Sequence, residues 1–270
     1  MSITIPRHFI LVGVIFAFII SPASALAQRT KSSLSAGKQR NAEKGLKDNR
    51  YFFYFINASI TNLGSEEEKK LFREAVQRDI IAQLLYMKFL FGESFDEILK
   101  AQKILIDLYR RVLGRDIEMA KRLLNSFAPA VISSRDILAR HYLKLGYRDA
   151  EDARIDMVMG DNFRETLYSM RLYRYAKAIK KVKHGKRYAF FSLLEAKSPD
   201  DKKKNLHLLG YDELGKLIGE TSGDDKKIFN VLIHADNYYK SKDLLSLYDR
   251  VWEKPELSEI KEYEDYLKMR

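Results

Sequence analysis

Cysteine is absent from all 270 residues, which excludes disulfides, thiolate metal sites and a lipid anchor on cysteine. Strand signals are scarce, and no turn dipeptide sits between alternating apolar runs, so a β-hairpin architecture is excluded. No apolar run is long enough for a membrane span. The longest, Phe9 to Ile20, would rise only about 18 Å as a helix, against a hydrocarbon core of about 30 Å. Catalytic signatures are missing too: there is no H-E-x-x-H, no G-x-S-x-G and no phosphate loop ending in Gly-Lys-Ser/Thr. His141, His184, His207 and His234 show no i, i+4 pairing of the kind zinc needs. These absences predict a non-enzymatic protein without cofactor or metal.

What is present begins with Arg7, the apolar run, Pro22 as a helix stop and then Ala25-Leu26-Ala27. That order reads as a secretory signal over residues 1–27. Its removal would take away Arg7 alone among the charged groups, lowering the formal charge from +11 to +10. A basic exported chain meets anionic headgroups, wall polymers and acidic assemblies rather than nucleic acid.

Residues 28–47 are polar and basic, with little to bury, and read as a flexible N-terminal arm. A helical domain over 48–270 follows, with a possible sub-boundary near 198–205. Tyr51, Phe52, Phe53, Tyr54 and Phe55 form a run without alternation, which is either core or an aromatic anchor for a partner.

Ser65-Glu66-Glu67-Glu68 is a capping box for a helix reaching about Phe91, and Ser94 to Glu97 suggests a second, stopping at Gly114. A third should bend or end at Pro129. Ser134 can cap a fourth that closes at Gly146, and a fifth ends near Gly160. Asp161 is placed to cap a basic helix, and a last helix can start at Pro255. The fold class is therefore all-α: an elongated bundle of antiparallel helical hairpins. The short echoes at 143–150 and 207–214, and at 160–163 and 235–238, keep no constant period.

From Arg171 to Arg187 the chain carries Arg171, Arg174, Lys177, Lys180, Lys181, Lys183, Lys186 and Arg187, and no acid. Tyr168, Leu172, Tyr175, Ile179 and Val182 recur every three or four residues, making one narrow apolar seam with a broad cationic back. After His184-Gly185 the phase breaks, which predicts a kink. The absence of acids marks the back as a partner-binding face, and reversing Arg174, Lys177 and Lys181 to Glu is expected to leave helix content unchanged.

The stretch from Leu145 to Pro199, "LGYRDAEDARIDMVMGDNFRETLYSMRLYRYAKAIKKVKHGKRYAFFSLLEAKSP", resembles the spirochaete flagellar-coiling proteins of leptospires. The similarity covers mainly residues 134–199. It implies a periplasmic helical protein that coats the flagellar filament on one side, touching the filament core and other sheath proteins to promote coiling and motility. An alternative is a periplasmic binding module for anionic lipid or wall polymer. A further one arises at "FGESFDE", residues 91–97, which resembles the neighbourhood of the catalytic glutamate in lytic transglycosylases and would make Glu93 a general acid.

Overall fold

The computed structural model describes residues 8–198, 206–221, 225–227, 229–230 and 245–269, with side chains from residue 36 onward except those of residues 211 and 221. These residues are overwhelmingly helical, with no strand among them. Helix α1 spans His8–Leu63, α2 Glu66–Met87, α3 Phe91–Ser134, α4 Ile137–Asp161 and α5 Tyr168–Lys197. Shorter helices follow: α6 Tyr211–Thr221, α7 Leu247–Glu253 and α8 Tyr263–Lys268, with single 3-10 turns at Leu206–Leu208 and Leu257–Glu259. The first five pack as successive antiparallel hairpins. The 44-residue α3, about 66 Å long, is the spine touched by α1, α2, α4 and α5.

Several expectations change once the helices are packed. The arm read as flexible is helical, and at its end Ala42 is fully buried with Ala82 and Ile98. α1 also runs through Pro22. Residues 1–7 of the segment read as a signal, the proposed sub-boundary from residue 199 to 205 and the echo at 235–238 lie outside the described residues.

Ser65 caps α2 as expected. Its Oγ accepts from the Glu68 amide at 3.2 Å, while the Glu68 carboxylate accepts from the Ser65 amide at 2.8 Å. Ser94 and Glu97 do not form a cap, because α3 has already begun at Phe91. Ser94 donates to the Ala82 carbonyl at 2.8 Å. The fully buried Glu97 accepts from Arg78 at 3.0 Å, Lys100 at 2.6 Å and the Tyr266 hydroxyl at 2.7 Å, fastening the C-terminal helix to α2 and α3. α4 is capped by Asp136, whose carboxylate accepts from the Ala139 amide at 2.9 Å, rather than by Ser134. The last helix does not start at Pro255, which lies after the end of α7 at Glu253 and before α8 begins at Tyr263.

α3 continues through both Gly114 and Pro129. A helix-interior proline costs about 3 kcal/mol. Burial of Leu124, Phe127 and Val131 around it offsets that cost, with Phe127 set edge-on to Phe190 at 5.4 Å. Gly146 and Gly185 do not stop their helices. They are where α4 and α5 touch backbone to backbone: a Cβ on Gly185 would stand 3.2 Å from the Gly146 carbonyl, and one on Gly146 would meet Leu124 at 2.5 Å.

A polar chain crosses four helices inside this apolar packing. Ser169 of α5 donates to Gln102 of α3 at 3.1 Å, Gln102 to Asn49 of α1 at 2.9 Å, and Asn49 to Asp79 of α2 at 2.8 Å. Gln83 donates to the second Asp79 oxygen at 3.0 Å. Burial pushes the Asp79 carboxyl up to about 6, against the hydrogen bonds from Asn49 and Gln83 and the charge of Arg50. The folded state therefore holds this proton more tightly than the unfolded chain does. Stability contributed by Asp79 is full below its ordinary value of 3.8 and is lost as pH rises through 6. The predicted outcome is a melting temperature that falls between pH 4.5 and 7.5 by the equivalent of about 2 kcal/mol. Asp79→Asn should flatten that slope in thermal scans at several pH values.

Candidate functional site

The seam of α5 is where the sequence pattern puts it. Leu172, Tyr175, Ile179 and Val182 are fully buried, with Tyr168 partly so. The Tyr175 hydroxyl donates to Asp161 at 2.5 Å. Asp161 consequently does not cap α5, whose first turn has no side-chain cap. It instead gathers Arg110 at 3.1 Å and Arg171 at 3.8 Å.

The cationic back of α5 is not an open face, because α4 lies along it with its acids inward. The 3 % exposed Asp156 pairs with Arg174 at 3.2 Å, Lys177 at 3.6 Å and Lys181 at 2.8 Å. Lys181 also reaches Asp152 at 3.2 Å. Lys186 is buried against Asp116 of α3 at 3.4 Å. Arg187 stacks over the Phe191 ring at 5.1 Å and donates to the Leu209 carbonyl at 3.4 Å. Lys183 is half-buried and also engaged within the chain. The partner-binding face expected over residues 171–187 is thus largely neutralised inside the fold; Lys177 and Lys180 alone of the eight remain substantially exposed.

The aromatic run divides between the two roles proposed for it. Phe52 and Phe53 are core residues, with Phe53 edge-on to Phe72 at 5.6 Å. Tyr54 projects outward, 64 % exposed, with Tyr51 and Phe55 half-buried beside it. This outer half meets what remains open on α5. Tyr51 lies 5.5 Å from Tyr173, and Lys180 donates to the Tyr51 hydroxyl at 3.3 Å while standing 4.5 Å over the Phe55 ring. Tyr173 donates to the buried Asp48 at 2.6 Å, which turns that acid away from the surface.

The sequence reading missed the cations that complete this surface. Arg40, Lys44, Lys47 and Arg50 on α1 are exposed, and Arg40, Lys44 and Lys47 form no ion pair among the described residues. The signal that could have found them is the spacing of Arg40, Lys44, Lys47, Tyr51 and Tyr54. It steps by 4, 3, 4 and 3, the same rule that defined the α5 seam. Reading residues 28–47 as a loose arm hid it. The candidate site is a basic and aromatic ridge of Arg40, Lys44, Lys47, Arg50, Tyr51 and Tyr54, bordered by Tyr173, Lys177 and Lys180.

A second exposed feature sits at the turn between α2 and α3. Phe89 is 80 % exposed and holds a left-handed backbone at φ 63°, which costs an L-residue about 1–2 kcal/mol. Beside it, Ile81, Leu84, Leu85, Met87, Tyr263, Tyr266 and Leu267 line a cavity of about 320 Å³. Glu93 lies half-buried in the first turn of α3. Its neighbours Ser94 and Glu97 are committed to the helix contacts described above.

A family model described as surface protein adhesin OmpL37 matches residues 36–266, most of the chain. This supports a leptospiral protein family, but one of surface adhesins and not the flagellar-coiling proteins that the sequence resembles. No curated protein and no solved structure matches.

Charge reversal tests the closed face. Burial pushes the Asp156 carboxyl upward, but hydrogen bonds and charge from Lys181, the Lys177 charge and the Arg174 hydrogen bond together hold it below 3.8. Its stabilisation is present above 3.8 and lost as pH falls through the lower folded value. Arg174→Glu with Lys181→Glu should therefore destabilise the fold at pH 7 by about 3 kcal/mol or more, since an acid buried without its partners is costly. Urea unfolding would show it, and a variant as stable as the parent would refute the closed-face geometry.

Proposed function

Because the chain belongs to the surface protein adhesin OmpL37 family, we propose that it is an exported adhesin. It works by binding and not by catalysis, through the outer faces of α1 and α5. The family match over residues 36–266 carries this reading. The secretory pattern at the N-terminus and the absence of catalytic motifs in the sequence support it. Among the described residues no helix is long and apolar enough to cross a membrane, so retention at a cell surface would use contacts rather than a spanning helix of those residues.

The ridge has the composition of a binding surface. Tyrosine and arginine dominate the energetics of interfaces, since a rigid aromatic buries a large area at low entropic cost. Arg40, Lys47 and Tyr54 are mounted on a helix whose opposite side is locked in the core by Ala42, Asn49, Phe52, Phe53 and Ile56. The partner therefore meets a pre-formed surface, which lowers the ordering cost of binding.

The flagellar-sheath role implied by the resemblance over residues 134–199 is a second reading. It relied on an open cationic α5, and the acids of α4 remove most of that face. Lateral attachment to a filament would have to use the α1 ridge instead.

Binding of the purified chain to immobilised extracellular-matrix and serum proteins tests the adhesin reading. Saturable binding to at least one of them is expected. Tyr54→Ala should weaken it at least tenfold, as for an interface anchor, with an unchanged melting temperature. Binding to none of a broad panel, together with protection from protease on intact cells, would end the proposal.

A further inference from the structure

We propose that the α1 ridge binds a linear anionic polysaccharide, sulfated or carboxylated, which rests on the adhesin reading and names a ligand class for the same surface. Successive turns of a helix place Arg40, Lys47 and Tyr54, seven residues apart, along its outermost line. Lys44 and Tyr51 flank that line toward α5, and Arg50 flanks it toward α2, where Lys47 and Arg50 also line a cavity of about 280 Å³ with Gln83, Tyr86 and Met87. From Arg40 to Tyr54 the helix rises about 21 Å. Over that length Glu43 is the one exposed acid on α1, since Asp48 is only 5 % exposed and held by Tyr173. Lys177, 54 % exposed, and Lys180 extend the positive field onto α5.

A straight row of cations on a rigid helix fits a rod of regularly spaced anions, because each further charge engaged adds a contact and releases counterions without rebuilding the surface. Lys- and Arg-rich clusters of this kind are the electrostatic footprint of polyanion binding. Tyrosine rings standing among the cations offer flat apolar faces for the C–H faces of sugar rings and hydroxyls for their oxygens. A lipid surface fits less well. The ridge itself carries no large aliphatic side chain to enter a bilayer; the exposed Leu84 and Met87 lie in the last turn of α2, with Met87 at the edge of the ridge's cavity, and Phe89 lies in the turn to α3.

The experiment is surface plasmon resonance of the full chain on immobilised heparin over a range of sodium chloride concentrations. Because a chain of net charge +11 is attracted to any polyanion, two charge-matched double variants are compared. Arg40→Glu with Lys47→Glu changes the ridge. Lys103→Glu with Arg122→Glu makes the same charge change on exposed positions of α3. The ridge pair should weaken binding at least tenfold and flatten its salt dependence, while the α3 pair should change it less than twofold. Tyr54→Ser should weaken binding several-fold at fixed salt with the slope unchanged. Circular dichroism should show all variants folded, since these side chains are exposed.

Equal weakening by the two pairs would overturn the proposal by reducing the attraction to net charge. Displacement by single-stranded DNA as efficient as by free heparin would overturn it in favour of a nucleic-acid surface. Retained adhesion to an immobilised protein partner with heparin binding unaffected by the ridge variants would sink the polysaccharide assignment and leave the adhesin reading standing.

Discussion

The packing of α4 against α5 decides what this protein can offer a partner. Gly146 and Gly185 let the two backbones approach to contact distance, and at that separation the acids of α4 cannot avoid the cations of α5. Asp152, Asp156 and Asp161 take up Arg171, Arg174, Lys177 and Lys181. Surface ion pairs contribute little to stability in general. Asp156 is different, because a carboxylate so nearly excluded from water requires its partners. The most basic stretch of the chain thus serves the fold, and the charge left for recognition lies elsewhere.

It lies on α1, and the polar chain from Ser169 through Gln102 and Asn49 to Asp79 holds it there. Hydrogen bonds between buried groups demand register as well as proximity, since sliding α1 by a turn would strand each donor without an acceptor. Apolar packing alone tolerates such shifts more readily. With Asn49, Phe52, Phe53 and Ile56 fixed inward, the helical repeat forces Arg40, Lys47 and Tyr54 outward. The buried network and the exposed ridge are opposite faces of one constraint, which connects fold specificity to the surface this OmpL37-family chain presents.

Tethering of the C-terminal segment follows the same economy of buried charge. Glu97 collects Arg78, Lys100 and Tyr266, Gln77 donates to the Glu256 carbonyl at 3.0 Å, and Thr61 accepts from the Leu247 amide at 3.0 Å. α7 and α8 are short and would be marginal as isolated helices. Contacts on α1, α2 and α3 hold them, and this closes one side of the apolar cavity beside Phe89.

The sequence by itself determined the helical class, the Ser65 cap and the buried seam of α5. Each follows from spacing within one or two turns, where a helix leaves no choice about which residues share a face. Tertiary structure decided which charges were free, where α3 ended and what Gly146, Gly185 and Pro129 were for. Those outcomes depend on the element packed opposite: Lys181 meets an acid on the neighbouring helix, Tyr266 meets Glu97 from the far end of the chain, and the cost of Pro129 is offset where Phe127, beside it on α3, packs on Phe190 of α5. A local pattern shows that a residue is basic, or that a turn is weak. Only the packed neighbour settles whether that charge is neutralised and whether the weakness is overcome.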